Sequence, residues 1–334
     1  MKPEETLTGK DIKEIPALLE DFSARVNDLK KYFLRTEGDS VYLLGRGSSG
    51  NATLFAKYVW EEYTGTIVNF IRPHSIFEAK KPLNFRNSAV WAYSQSGKST
   101  DIVACLKKLL EWGARGVSVT NEDDIKENPL AQLTGNNILL SRSAELPVAA
   151  TKSFILQLWV ALWAAQIWSG CFSPENFTDT VEQVKKLVGQ DFSAMGQKYI
   201  GILKSARIVG FVGRGTYSAV AADAALKFRE MAMVQSINYS AAEFLHGPVG
   251  ACTDKDFIFL LSPSESLPDD LVKVKQALYL RGTRCEILFE PKGVAPFDRL
   301  LTDIKLKILA LNLSLSKGLN PDSPKGLAKV TPTI

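Results

Sequence analysis

VYLLGRGSSGNATLFAKYVWEE, from Val41, and IVGFVGRGTYSAVAADAALKFREM, from Ile208, repeat one pattern: an apolar run ending on glycine, a polar turn, then a stretch with helical spacing. Gly45 aligns with Gly213, 168 positions later. VWAYSQSGKS, with Ser94, aligns with IFLLSPSES, with Ser262, at the same 168. The corner LLEWGARGVSV, with Gly113, resembles ALYLRGTRCEILF, with Gly282, at 169. Two independent matches on one offset make duplication the economical explanation.

Within each copy, apolar runs alternate with helical patterns. YLLG, AVWAYS, GVSVT and NNILLS in the first copy, and RIVGFVG, FIFLLS and CEILFE in the second, are continuously apolar. Such strands belong in a parallel sheet covered by helices on both faces. The expected fold is α/β: two doubly wound, flavodoxin-like parallel-sheet domains related by duplication, spanning residues 1–172 and 173–334. GCFSPENFT, Gly170 to Thr178, collects Gly, Pro and Asn between two helical patterns and marks the junction. Residues 1–40 read as largely helical, and GLNPDSPKGLAK near the end reads as a loop lying over something.

At 334 residues the chain is longer than one hydrophobic core usually serves, which agrees with two domains. The net charge of +4 comes from 40 basic and 36 acidic residues without a long basic run, so nucleic acid is a poor partner. Cys105, Cys171, Cys252 and Cys285 lie far apart and read as reduced, mostly buried thiols. MKPEETLTGKDIKEIP lacks the apolar core of a signal peptide, and the expected location is the cytoplasm. SFILQLWVALWAAQIWSGC, Ser153 to Cys171, is almost long enough to cross a bilayer, but Gln157 and Gln166 interrupt it. It is expected to be buried in the fold or at a subunit interface, not in a membrane.

In a parallel α/β sheet, loops at the carboxyl ends of the strands meet helix N-termini that attract anions. SQSGKST fits such a place: Ser94, Gln95, Ser96, Ser99 and Thr100 offer donors, Gly97 permits close approach, and Lys98 adds charge. Taken alone it also reads as a Ser-rich helix cap. It lacks the spacing of a nucleotide P-loop. GRGSSGN, Gly45 to Asn51, could add Ser48 and Ser49 but fails the dinucleotide fingerprint. In ALKFREMAMVQSINYSAAEFLHGPVG, Lys227 and Glu230 share a helix face and His246 opens a His-Gly-Pro turn. A carboxylate and an imidazole suit sugar isomerisation, in which a proton moves between C1 and C2 and the ring must open. The same residues also fit a salt bridge and a turn histidine. His74, in IRPHSIF, reads as structural. Arg46 and Arg214, equivalent in the repeat, fit either ligand contacts or internal pairing. No metal-ligand spacing and no Gly-x-Ser-x-Gly nucleophile are present, so neither metal nor cofactor is expected.

At these residues the chain resembles the double sugar-isomerase-domain (SIS) family, which includes the isomerase half of glucosamine-6-phosphate synthase and the stand-alone glucosamine-6-phosphate deaminases. The likeness covers nearly the whole chain. It rests on Ser94-Gln95-Ser96-Gly97-Lys98-Ser99, on Gly47-Ser48-Ser49, and on Val148 to Lys152 preceded by Glu145. It rests also on Ala225-Leu226-Lys227 with Glu230, on Glu-Phe-Leu-His246-Gly-Pro, and on Asp322, Pro324, Leu327, Ala328 and Lys329.

The resemblance implies phosphate binding by Ser94, Gln95, Ser96 and Ser99, with Gly47, Ser48, Ser49, Val148, Ala149 and Lys227 also lining the substrate. It implies Glu230 as the C1–C2 proton shuttle and Lys329 as the tail lysine that meets the open-chain sugar. His246 would assist ring opening from the neighbouring subunit of a homodimer. Lys98, where the synthase has an acidic residue, Asp223, where it has Glu, and Tyr93 depart from the pattern without removing a catalytic group. The sequence shows no N-terminal Cys and no glutaminase domain, so the expected direction is deamination of glucosamine 6-phosphate to fructose 6-phosphate. The alternatives are a fructosamine-6-phosphate deglycase, another phosphosugar isomerase, or a non-catalytic phosphosugar sensor. The Ser262 loop, which loses the glycine, is expected to be vestigial.

Overall fold

The computed structural model describes residues 2–35 and 40–329. The chain divides into two compact units, with the principal division between Ser173 and Pro174. Of the described residues, the first unit holds Ala17–Glu145 and Lys152–Ser173, with Ala328 and Lys329. The second holds residues 2–16, Leu146–Thr151 and Pro174–Leu327. Residues 2–16, Leu146–Thr151 and the segment from Ala328 thus belong to the unit opposite the one that a single cut in sequence gives them.

The chain opens with α1 (Leu7–Leu29), whose residues up to Pro16 belong to the second unit. In the first unit follow β1 (Val41–Gly45), α2 (Gly47–Thr64), β2 (Val68–Phe70), α3 (Pro73–Phe77) and β3 (Ala89–Tyr93). Then come α4 (Thr100–Glu111), β4 (Arg115–Thr120), α5 (Pro129–Thr134), β5 (Asn137–Leu139) and α6 (Lys152–Ser169). The five strands form a parallel sheet in the order β2-β1-β3-β4-β5. Val90 and Ala92 of β3 meet Ile102, Cys105, Leu106 and Leu109 of α4 in one apolar cluster. The apolar helix foreseen near 153–171 is α6, buried over most of its length within this unit. Trp60 of α2 donates its indole N–H to the Ala161 carbonyl at 2.9 Å. Trp60 also lies 4.7 Å, centroid to centroid, from Trp168. No helix among the described residues is long and apolar enough to cross a membrane.

The second unit continues with α7 (Pro174–Val188), α8 (Gln197–Ser205), β6 (Val209–Gly213), α9 (Thr216–Ala232), β7 (Ser236–Ser240) and α10 (Ala241–Leu245). It closes with β8 (Phe257–Leu261), α11 (Asp269–Tyr279), β9 (Arg284–Leu288) and α12 (Asp298–Ser316). Its parallel sheet has the order β7-β6-β8-β9. Alternation along β8 sends Phe257, Phe259 and Leu261 toward α9 and α12, and Ile258 and Leu260 toward α10 and α11. Pairing of Val41 with Ala89 in the first sheet recurs as Val209 with Phe257 in the second. The repeat seen in sequence is therefore a repeat of strand register. Cys105 and Cys252 are buried, Cys285 is half-buried and Cys171 is exposed, so the thiols divide more evenly than expected.

Candidate functional site

In the first unit, the Ser94–Ser99 loop joins β3 to α4. Ser99 is the N-cap of α4, but its hydroxyl does not cap the helix and lies 3.2 Å from that of Ser94. Ser96 Oγ accepts from the Lys98 backbone N–H at 3.2 Å, and the Gln95 carbonyl accepts from Asn121 N at 2.8 Å. Gly97 makes the turn possible: its φ is +67°, and a Cβ there would stand 2.1 Å from Asn128 Oδ1. Asn128 cannot give way easily, because Oδ1 accepts from Ala131 N while Nδ2 donates to Thr120 Oγ1 and the Glu122 carbonyl. The result is hydroxyls and backbone N–H groups gathered at the N-terminus of a twelve-residue helix, an arrangement that favours a phosphate-like anion. Lys98 points its charge to Glu127, at 2.7 Å, which raises the lysine pKa.

Gly47 opens α2 at φ +52°. Ser48 is half-buried, whereas Ser49 is buried and its hydroxyl accepts from Gln157 Nε2 of α6 at 2.9 Å. Arg46 pairs with Asp101 at 2.7 Å, tying the β1–α2 turn to the first turn of α4. Also in this unit, the wholly buried Glu145 carboxylate accepts from Ser153 N at 3.1 Å, Ser153 Oγ at 2.6 Å and Lys329 Nζ at 3.0 Å. Lys329 thus keeps a cation one-quarter exposed at the end of the described tail.

The second unit holds Lys227, Glu230, His246, Val148 and Ala149. On α9, the buried Lys227 ammonium pairs with the Glu230 carboxylate, whose side chain is 21% exposed. That leaves part of the carboxylate open to water, with a dry cation beside it. His246 is exposed at the C-cap of α10, and its imidazole makes no hydrogen bond among the described residues. Val148 N donates to the Asp322 carbonyl at 3.1 Å, and Ala149 is buried in the apolar cluster of α9 and α12. Asp322 also fixes the tail to the start of α1, its carboxylate accepting from Leu7 N at 2.9 Å and Thr8 N at 2.8 Å.

At the matching edge of the second sheet the polar groups serve the fold. Ser262 Oγ donates to the Ser264 carbonyl at 2.7 Å, and Ser264 Oγ to the Ser266 carbonyl at 2.6 Å. Arg299 Nε donates to Thr216 Oγ1 at 2.9 Å, and its guanidinium stacks 4.0 Å over the Tyr217 ring. Tyr217 in turn donates to Asp298 at 2.9 Å. Burial first, and then the Asp298 charge, push the Tyr217 phenol up.

Sequence reasoning missed Asp101 and Asn128, which hold the two loops in place, and Lys307 and Asp303 of α12. The signal for the last pair was available: two opposite charges at a four-residue spacing inside LLTDIKLKILAL, a segment apolar apart from them, Thr302 and Lys305.

The SIS domain family model matches residues 34–166 and 202–288, more than half of the sequence, and the chain belongs to that family. It is 28% identical over 346 residues to the isomerizing glutamine–fructose-6-phosphate aminotransferase of Sulfolobus acidocaldarius, covering 96% of this chain and 55% of that protein. The chain spans about half the length of the curated relatives it matches. Among solved structures, the glucosamine-6-phosphate deaminase of Thermotoga maritima matches with a TM-score of 0.83 at 23% identity, over 98% of this chain and 99% of that one. The tagatose-6-phosphate ketose/aldose isomerase of Escherichia coli matches with a TM-score of 0.78 at 17% identity, over 100% and 99%. At these identities the structural likeness speaks for the fold alone.

Proposed function

We propose that the protein is a phosphosugar isomerase that acts as a glucosamine-6-phosphate deaminase. The observation that carries the reading is the pairing of dry Lys227 with half-open Glu230 on α9. A partly exposed carboxylate fixed by a buried lysine is suited to take the C2 proton of the open-chain amino sugar and deliver it to C1. With an N–H proton passing to O1, that transfer turns the 2-amino aldehyde into a 2-imino sugar with a C1 hydroxyl. Water adds to the imine carbon and ammonia leaves, giving fructose 6-phosphate. The Ser94–Ser99 loop is assigned to the phosphate, and Lys329, held by Glu145, to the open-chain sugar. Membership of the SIS family and the likeness in sequence to an isomerizing glutamine–fructose-6-phosphate aminotransferase support a phosphosugar substrate.

His246 is assigned to ring opening across a homodimer, and its exposed, unbonded imidazole supports that role. Mixing and refolding Glu230→Gln with His246→Ala, each inactive alone, should restore part of the activity; no restoration would place His246 within its own subunit's site.

The purified protein is incubated separately with glucosamine 6-phosphate, galactosamine 6-phosphate and a fructosamine 6-phosphate, while released ammonia and the sugar product are measured. Ammonia with fructose 6-phosphate from the first substrate alone is the expected result. Turnover of a fructosamine 6-phosphate alone would make the protein a deglycase, and binding without any turnover would make it a sensor.

A further inference from the structure

The second unit contains a set of charges that the proposed chemistry does not use. Lys307 of α12 is wholly buried and donates to Asp223 of α9 at 2.7 Å, and it also pairs with Asp303, one turn back on its own helix. Asp223 and Asp303 are wholly buried too. Burial pushes the Asp303 carboxyl up, with Lys307 opposing, and the Lys227 charge also acts on it. The set is therefore electrically continuous with the proposed catalytic pair.

Spacing along α9 gives this arrangement its consequence. Asp223, Lys227 and Glu230 follow at intervals of four and three, so they share one face and Lys227 stands between two carboxylates. The two differ sharply in solvation. Glu230 is partly open to water, while Asp223 is dry and needs a cation far more. Left to itself, the Lys227 ammonium would be drawn to Asp223 and away from Glu230. Lys307 supplies Asp223 with its cation from the neighbouring helix.

We propose that Lys307, fixed by Asp303, is a positioning residue: by neutralising Asp223 it commits Lys227 to Glu230 and so holds the proton-shuttling carboxylate in place. The proposal rests on the deaminase reading for its effect on turnover, but its structural part stands apart from that reading.

The test is Lys307→Met, compared with the double variant Asp223→Asn/Lys307→Met, by steady-state kinetics and crystal structures. In the single variant kcat should fall about tenfold or more with KM little changed, and the Lys227 ammonium should turn from Glu230 to Asp223. In the double variant the competing carboxylate on the lysine's own helix is gone, so Lys227 should return to Glu230 and kcat should recover. If Lys307→Met does not fold, Asp303→Asn/Lys307→Met, which removes one charge of each sign, is expected to behave as the single variant does. The proposal is overturned if Lys227 stays on Glu230, or if it moves and kcat does not change. A wild-type protein that turns over no phosphosugar would sink the deaminase reading, and the lysine position in the variants would still decide the positioning claim.

Discussion

The two sheet edges began from one pattern and now treat their polar groups in opposite ways. In the first, Gly97 lets the serine loop turn close over Asn128, and Ser48, Ser96 and Ser99 remain at least partly open. In the second, Glu265 stands at the position of Gly97, Ser262 and Ser264 donate to their own loop, and Arg299 and Asp298 engage Thr216 and Tyr217, the counterparts of Ser48 and Ser49. One ion pair is kept by both copies: Arg46 with Asp101, and Arg214 with Asp270 at 2.9 Å. What duplication preserved is the brace between adjacent loops. What it released is the ligand edge, since an anion cradle needs donors that the fold has not already used.

The largest effect should come from Glu230→Gln, which would remove the proposed proton transfer and leave the proposed phosphate anchor intact: kcat should drop roughly a thousandfold at nearly constant KM. Steady-state kinetics check this, and a variant with undiminished kcat would take Glu230 out of the chemistry. The serine loops give the direct contrast. Ser96→Ala/Ser99→Ala should raise KM about tenfold or more, by loss of hydrogen bonds to a charged phosphate, whereas Ser264→Ala/Ser266→Ala should leave KM alone. Equal responses would mean that both edges bind ligand, or that neither does.

The conserved braces should differ in strength because their carboxylates differ in exposure, 4% for Asp101 and 20% for Asp270. Arg46→Met should cost about 2 kcal/mol in denaturant unfolding by stranding a buried charge, and Arg214→Met less than about 1 kcal/mol. Gly97→Ala should cost about 2 kcal/mol through its positive φ and the approach to Asn128; an unchanged melting temperature would show that the loop can rearrange.

The last contrast concerns the other end of the strands, where Arg207 clamps Asp256 at 2.6 Å and the first copy has Ser88 at the position of Asp256. Burial alone would raise the Asp256 carboxyl, but Arg207 and the Thr253 N–H outweigh it and hold it below the ordinary value of 3.8. A lowered carboxyl stabilises the fold above that ordinary value, and the contribution disappears as pH falls through the lower folded one. Arg207→Met should therefore lose stability near neutrality and show a shallower loss on acidification; identical acid-unfolding curves would contradict this.

Seven of the nine strands among the described residues are legible in the sequence because buried parallel strands are continuously apolar. The other two escape for a physical reason. β2 has three residues, two of them exposed, and β7 is the polar SINYS, so neither interrupts the helical pattern around it. At the site, motif residues could be named but their commitments could not. Ser49 looks like Ser48 in sequence, and only the approach of Gln157 turns its hydroxyl inward. Glu145 is one acidic residue among many until burial makes it the acceptor for Ser153 and Lys329.

The sequence by itself determined the duplication, the doubly wound sheets, the family and the candidate residues, because hydrophobic period and motif spacing are local properties carried along the chain. Tertiary structure decided which donors are spent and which stay open, and which lysine serves which carboxylate. Those outcomes depend on burial and on neighbours distant in sequence, such as Lys307 beside Asp223 and Arg299 beside Thr216, and the energy of a charge is set by its surroundings more than by its place in the chain.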